Sequence, residues 1–310
     1  MAVLGGGLLS AGLHLAMILG SLGAVILAYL APLPLFLVGL SLGFLPGAAA
    51  GLVGALVVAA ATGNFIPVGA YALLNAVPVA LLCRQAMLSR PGTAGVEWYP
   101  AGLLTMWVAG FGIVVGVLLL FMLGFTAEGL SLAIEQSLTS ELQAMMQDTD
   151  GQPSPSVVTA ARLVAPIFPG IAVASWVVMM MVNGALAQGL LIRFGRNMRP
   201  GVRLSSFYLP GWSVYVLAAA GVLSLVAWGF PNFLGINAAV VLTIPFFLAG
   251  LAVVHAFART RKSRFVVLGG VYVALLLFGW LALAVIALGI ADQWADFRRR
   301  MAPVAPNQES

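Results

Sequence analysis

The chain has 310 residues, of which 62% are hydrophobic and only 7% are charged, and its formal net charge is +5. About a quarter of the residues in an average soluble domain are charged. A soluble fold of this length could not cover its surface with so few polar groups. The composition therefore predicts a protein embedded in a lipid bilayer, and the absence of basic stripes with interleaved aromatic residues argues against nucleic acid as a partner.

The hydrophobic runs predict an all-α, polytopic transmembrane helix bundle of eight or nine spans, because a spanning helix needs roughly 20 apolar residues. Spans are predicted at residues 3–27, 65–83, 100–124, 164–192, 211–229, 236–258 and 265–290. Residues 33–62 fit either one tilted helix or two short spans. Pro46 within this run removes a backbone donor and predicts a kink or a break.

The whole chain is predicted to form a single membrane domain. Its parts are Gly/Pro-rich helices over 1–83, a cytoplasmic loop over 84–99, an acidic extracytoplasmic linker over 125–161, C-terminal helices over 162–291 and a polar tail over 292–310.

The distribution of basic residues predicts which linkers are cytoplasmic. Linkers 84–99, 193–204 and 259–264 hold ten of the fourteen Lys and Arg residues, as the positive-inside rule expects of cytoplasmic segments. Linker 125–161 is acidic and falls on the other side. The segment Arg298 to Arg300 conflicts with this scheme. One predicted crossing separates the cytoplasmic linker 259–264 from the tail, which places the tail outside. The predicted location is the bacterial inner (cytoplasmic) membrane, crossed several times.

The acidic linker contains a predicted amphipathic helix at 127–148. Its apolar residues recur at helical spacing and are Leu130, Ile134, Leu138, Leu142 and Met145. One interpretation is a helix that lies on the outer membrane surface. The other is a lid over a cavity that opens outward. A flexible linker is predicted at 150–156.

Small residues recur every four positions in two stripes, which predict close helix packing or docking of a partner protein. The first stripe is Gly12, Ala16, Gly20, Ala24 and Ala28. The second is Gly39, Gly43, Gly47, Gly51, Ala55, Ala59 and Gly63. Packing within the chain and docking of another membrane protein both remain open at this point.

Polar groups inside the predicted spans are few. They are His14, His255, Asn75, Asn183, Gln188 and Asn237. For the Asn and Gln residues, interhelical hydrogen bonds and the lining of a cavity are the two interpretations. Each His is interpreted either as a buried structural imidazole or as a proton relay. Arg162, at the outer end of a span, is predicted either to snorkel to the interface or to bind an anion or pair with Glu128.

Catalytic and metal-binding motifs are not found. The sequence has no Gly-x-Ser-x-Gly elbow, no phosphate-binding glycine loop and no His-Glu-x-x-His, and Cys83 is its one cysteine. We therefore expect a protein that is not an enzyme and has no cofactor and no metal site.

Residues 29–36, followed by Gly39, Gly43, Pro46 and Gly47, resemble the YybS-like family of bacterial membrane proteins of unknown function. Residues 183–193 and 209–212 extend the resemblance. The same region is distantly similar to the substrate-binding S components of energy-coupling-factor (ECF) transporters. That similarity implies that residues 29–34 cap a ligand cavity from outside, and that Ala24 and Ala28 belong to a stripe that docks an energising subunit.

The leading hypothesis is therefore a membrane protein that binds or transports a small solute in the manner of an S component. The predicted solute-binding residues are Tyr29, Pro32, Pro34, Asn75, Arg162, Asn183 and Gln188. The alternative is a scaffold that docks other membrane proteins through its small-residue faces. A third hypothesis, an enzyme acting on lipid, requires polar groups gathered at one depth.

Overall fold

The computed structural model describes residues 1–92, 95–122, 126–146, 154–202, 204 and 207–301. Its helices and strands, in chain order, are α1 (Ala2–Leu15), α2 (Leu22–Tyr29), α3 (Pro32–Leu42), α4 (Phe44–Thr62), α5 (Phe65–Tyr71), α6 (Val77–Ala86), β1 (Ser89–Gly92), β2 (Gly95–Trp98), α7 (Ala101–Met122), α8 (Ala127–Met146), α9 (Pro155–Val164), α10 (Phe168–Arg193), α11 (Ser213–Val226), α12 (Phe230–Arg259), α13 (Arg264–Leu277), α14 (Leu281–Ala295) and α15 (Phe297–Arg300).

The all-α membrane bundle is confirmed. Within the described residues, seven helical segments are long and apolar enough to cross a membrane. They are Ala2–Leu19, Gly23–Leu42, Phe44–Thr62, Phe65–Ala86, Ala101–Met122, Phe168–Arg193 and Phe230–Arg259. The two short strands form an antiparallel hairpin between α6 and α7, outside these segments.

The first outer turn lies earlier in the chain than predicted. The first span ends at Leu19, and Gly20 after it has a positive φ of 62°. Ser21 then caps the N-terminus of α2, because its hydroxyl accepts a hydrogen bond from the Ala24 amide. Residues 28–34 consequently lie within the second span, not in an outer loop. The prediction that they cap the bundle from outside is wrong, because Gly20 and Ser21 supply the turn.

The predicted break within 33–62 occurs at Gly43, whose φ of 100° favours glycine. Pro46 lies in the first turn of α4, where a missing backbone donor costs little. Helices α3 and α4 then pack antiparallel, with Gly39 against Gly47. The Gly43 turn, and not a proline kink, therefore separates the second and third spans.

The fourth span contains a π-helical segment, Ala72–Ala76, between α5 and α6. Pro78 has no N–H to donate to the carbonyl of Leu74, four residues earlier. The indole Nε1 of Trp176 on α10 donates to that oxygen at 3.0 Å. A side chain from a neighbouring span therefore satisfies the backbone group that the proline frees, as a lipid environment demands.

The basic linkers lie at one end of the bundle, which we call the basic end. Arg199 of the 193–204 linker bonds to the carbonyls of Ala86 and Tyr99, which flank the hairpin. Helices α10 and α12 run parallel, with Gly170 against Asn237, so their C-termini share that end. The predicted grouping of the three basic linkers is thus observed for the described residues. Arg203 lies outside them.

The region 265–290 is two helices, α13 and α14, and not the single predicted span. The chain breaks between Leu277 and Leu281, and α14 packs antiparallel to α12, with Gly250 against Val285 and Gly289 against Phe246. Helix α11 has only 14 residues, which is shorter than the predicted span 211–229.

One arginine of the tail bonds to an earlier linker of the chain. Arg298 donates to the backbone carbonyl of Phe207, in the linker between α10 and α11. Helix α14 runs antiparallel to α12, whose C-terminus lies at the basic end, so the end of α14 points away from the basic end, in agreement with the predicted placement of the tail outside. The three tail arginines therefore remain in conflict with the positive-inside rule.

The acidic linker forms two helices at the opposite end. Helix α8 matches the predicted amphipathic helix, with Leu130, Ile134, Leu138 and Leu142 all half-buried. Helix α9 begins within the predicted flexible linker, because Ser154 caps it by accepting from the Val157 amide. The side chain of Met145 and residues 147–153 lie outside the described residues.

Candidate functional site

The predicted solute-binding residues do not converge on one site. Tyr29 and Asn183 do meet, because the Asn183 amide donates to the Tyr29 carbonyl at 2.8 Å. The other polar members lie apart. Their partners are His14 for Asn75, Glu135 for Arg162, and the Arg199 carbonyl for Gln188. Arg162 thus pairs with Glu135, and not with the predicted Glu128.

Pro32 and Pro34 are buried in the first turn of α3. Ala31 and Leu35 beside them are fully buried, and the Ser10 hydroxyl on α1 donates to the Ala31 carbonyl at 2.7 Å. The segment is therefore filled by packing against the first helix, and neither cavity described below is lined by it.

The two small-residue stripes have different surroundings. A Cβ atom on Gly39, Gly47 or Gly51 would collide with other helices of this chain, so these glycines serve internal packing. Ala24 and Ala28 are buried as well. In contrast, Gly12 is exposed, with open space around its Cβ position. Ala16 is half-buried beside it, and Gly20 and Gly43 form turns.

A polar network crosses the membrane interior between α1 and the π-helical segment. Tyr71 donates to Ser10 at 2.9 Å, and Asn75 contacts His14 Nδ1 at 3.4 Å. The His14 and Tyr71 rings meet edge to face. Each group has a partner inside the chain, so the network is suited to fixing α1 against the fourth span.

A groove of about 580 Å³ lies on the flank of α7. We call it the aromatic groove. It is lined by Tyr99, Leu103, Met106, Trp107, Gly110, Phe111, Val114 and Trp212. Ligand pockets have volumes of about 300–1,000 Å³ and mainly apolar, aromatic walls. A second cavity beside Asn237 holds only about 50 Å³, which is too small for such a ligand.

The aromatic groove opens sideways toward lipid at the basic end. Trp107 and Trp212 are each about half exposed, at 50% and 49%. Its polar feature is a hydrogen bond of 2.9 Å from the Trp107 indole to the Tyr99 hydroxyl. Interfacial Trp and Tyr rings of this kind sit at the headgroup level of a bilayer. The groove therefore presents an apolar body and a polar mouth.

Arg199 is buried next to the Tyr99 backbone, at 7% exposure. Its two terminal nitrogens donate to the carbonyls of Ala86 and Tyr99, and its guanidinium lies 5.9 Å from the centre of the Trp98 ring. Its Nε is buried without a partner, and no carboxylate in the described part of the chain pairs with it. Burial accordingly lowers the pKa of the Arg199 guanidinium.

A second buried arginine, Arg298, has a carboxylate partner. It donates to Asp292 Oδ2 through Nε and a terminal nitrogen, at 2.8 and 2.6 Å, and its guanidinium lies 3.8 Å from the centre of the Tyr208 ring. The side chains of Arg298 and Asp292 are 2% and 1% exposed. This pair fixes the end of α14 to the linker between α10 and α11.

Sequence reasoning missed the aromatic groove and the role of Arg199. Arg199 counted as one of several basic residues that mark a cytoplasmic linker. The sequence Trp98-Tyr99-Pro100 before α7 carried a usable signal, because adjacent Trp and Tyr next to a span are typical of a membrane interface.

The chain belongs to the family described as predicted membrane protein (DUF2232), whose model matches residues 8–293. No match was found among curated proteins or among solved structures.

Proposed function

We propose that this protein is a non-enzymatic membrane protein that binds a small, mainly apolar ligand in the aromatic groove. The observation that carries the proposal is a groove of about 580 Å³ with four aromatic side chains in its wall. This is the solute-binding function expected from the sequence, at a different place. Binding energy would come from removing the ligand's apolar surface from water or lipid contact, and Tyr99 would orient its polar end.

Solute binding in the manner of ECF S components, under a cap formed by residues 28–34, has less support. It requires a cavity beneath residues 28–34, where Ala31 and Leu35 are fully buried. It also requires the predicted polar residues to converge, and they lie in separate contacts. Uptake of a solute from outside is therefore not part of the function proposed for the aromatic groove.

Photolabelling tests the proposal. We expect a long-chain alcohol with a diazirine group to label peptides of α7 and the segment around Trp212 in the purified protein. Gly110 lines the groove and has open space around its Cβ position. Gly110→Leu should fill the groove and reduce that labelling about tenfold, since an overpacked contact costs roughly 1–3 kcal/mol.

Gly189→Leu is the matched control, because Gly189 is also an exposed glycine in a span with open space around it. It should label like the wild type. Equal labelling of wild type and Gly110→Leu, or labelling spread evenly over all spans, would reject the aromatic groove as a binding site.

Docking of another membrane protein through α1 is the second candidate function. It is favoured by the outer face of α1, where Gly5 and Gly12 have open Cβ positions and Leu8 and Leu9 are exposed. Small residues let a partner helix approach closely and gain dispersion contacts. The partner would be an energising subunit if the resemblance to S components extends to function, and any other membrane protein if the chain is a scaffold.

Co-purification from the native membrane tests this docking face. We expect Gly12→Leu to lose a partner that co-purifies with the wild type, because the larger side chain prevents close helix approach. Gly269→Leu, at another open glycine, should keep the partner. ATPase activity in the co-purified fraction identifies an energising subunit. A partner that persists with Gly12→Leu contradicts docking through this face.

A further inference from the structure

Arg199 presents an electrostatic problem that the described residues leave unsolved. A buried charge without a counterion is costly even when some hydrogen bonds remain. Its two bonded acceptors are neutral backbone carbonyls, and its Nε–H has no acceptor among the described residues. Buried donors in native proteins nearly always have a partner. An anionic group bound from outside the chain would supply both the acceptor and the missing charge.

The aromatic groove lies next to this cation. Arg199 bonds to the backbone of Tyr99, and the Tyr99 side chain forms part of the groove wall. The groove residues on α7 run from Leu103 to Val114, which is about 16 Å at 1.5 Å per residue. An elongated hydrocarbon chain fits such a groove, and the exposed Gly110 and Val114 show that its long side faces the bilayer.

We propose that the ligand of the aromatic groove is an anionic phospholipid, with an acyl chain in the groove and its phosphate group at Arg199. This inference rests on the function proposed above and names its ligand class. The basic end faces the cytoplasm by the positive-inside rule, and the lipid would therefore come from the cytoplasmic leaflet. Arginine suits this role because its planar guanidinium matches phosphate geometry.

Lipids with brominated acyl chains test the inference by quenching tryptophan fluorescence. The full-length protein is reconstituted in phosphatidylcholine vesicles that contain a small fraction of brominated phosphatidylglycerol or brominated phosphatidylcholine. The signal is the part of the tryptophan quenching that is lost in the double variant Trp107→Phe/Trp212→Phe, because that part comes from the two groove tryptophans. We expect phosphatidylglycerol to associate about tenfold more tightly, as one charge-assisted contact to phosphate allows.

Arg199→Gln should remove this preference, and Arg199→Lys should keep part of it. Arg199 also links α6 to the start of α7, so the Gln variant can fail to fold. In that case the variants Arg199→Lys and Gly110→Leu test the inference instead. A wild-type preference that weakens in the Lys variant, together with loss of quenching by both lipids in Gly110→Leu, supports the inference.

Three outcomes overturn it. Equal quenching by both lipids that Gly110→Leu abolishes leaves the apolar groove standing but rejects the anionic ligand. Equal quenching that Gly110→Leu leaves unchanged, together with failed photolabelling, rejects both proposals. Stabilisation of the wild type against thermal unfolding by inorganic phosphate alone, lost in Arg199→Lys, would show that the site takes free phosphate instead of a lipid.

Discussion

Replacing Arg298 by alanine is expected to destabilise the protein by about 3–5 kcal/mol. The change leaves the Asp292 carboxylate buried, at 1% side-chain exposure, with neither of its two hydrogen bonds from the guanidinium. It also removes the donor to the Phe207 carbonyl and the contact with the Tyr208 ring. Much of the expected loss comes from the uncompensated charge, and not from the net energy of the ion pair.

The free energy of unfolding in mixed micelles, measured by titration with sodium dodecyl sulfate, checks this prediction. Arg300→Ala is the matched control, because Arg300 is an exposed arginine two residues away, and such surface changes usually stay within about 0.5 kcal/mol. The double variant Asp292→Leu/Arg298→Met should recover most of the lost stability, since it removes both charges together. If Arg298→Ala resembles Arg300→Ala, the ion pair does not hold the tail.

The membrane fold could be predicted because lipid imposes a strong, local rule on the sequence. Each span must supply about 20 apolar residues and satisfy its own backbone. Such runs are visible one at a time, without knowledge of their neighbours. Helices α7, α10 and α12 accordingly begin and end within about a turn or two of their predicted bounds, which is near the usual uncertainty of helix ends.

The first turn and the C-terminal helices could not be predicted by the same rule. Every residue from Val3 to Leu27 except Ser10, His14 and Ser21 is apolar or glycine, so hydropathy alone does not separate two helices there. The turn depends on the backbone conformation of Gly20, whose φ is 62°. Likewise, the break between α13 and α14 falls in an apolar segment around Gly279. Glycine is common inside transmembrane helices, so its presence does not signal a turn.

The candidate site was hidden because it depends on long-range contacts. The aromatic groove combines α7 with Trp212, about a hundred residues later. Arg199 acquires its character from burial against Ala86 and Tyr99, and not from its neighbours in sequence. The predicted site residues were chosen as polar groups within spans, and the structure shows most of them bonded to backbone or to each other. A satisfied polar group in a span needs no ligand.

Glycine at position 289 is expected to be essential for packing α14 against α12. A Cβ atom on Gly289 would collide with the backbone carbonyl of Phe246 and lie 2.7 Å from the Gly250 nitrogen. Backbone atoms cannot rotate away as a side chain can, so Gly289→Ala must push the two helices apart. Overpacking of this kind typically costs about 1–3 kcal/mol, and loss of contact along α14 should place this variant at the upper end.

Gly270→Ala is the matched control, because Gly270 lies in α13 with nothing near its Cβ position. Alanine is a better helix former than glycine by about 0.5–1 kcal/mol in water, so this variant should be neutral or slightly stabilised. The same detergent titration measures both. Opposite signs for the two substitutions indicate that close backbone approach, and not helix propensity, decides the effect at position 289. Equal effects would mean that α14 does not pack on α12 as closely as the backbone contacts require.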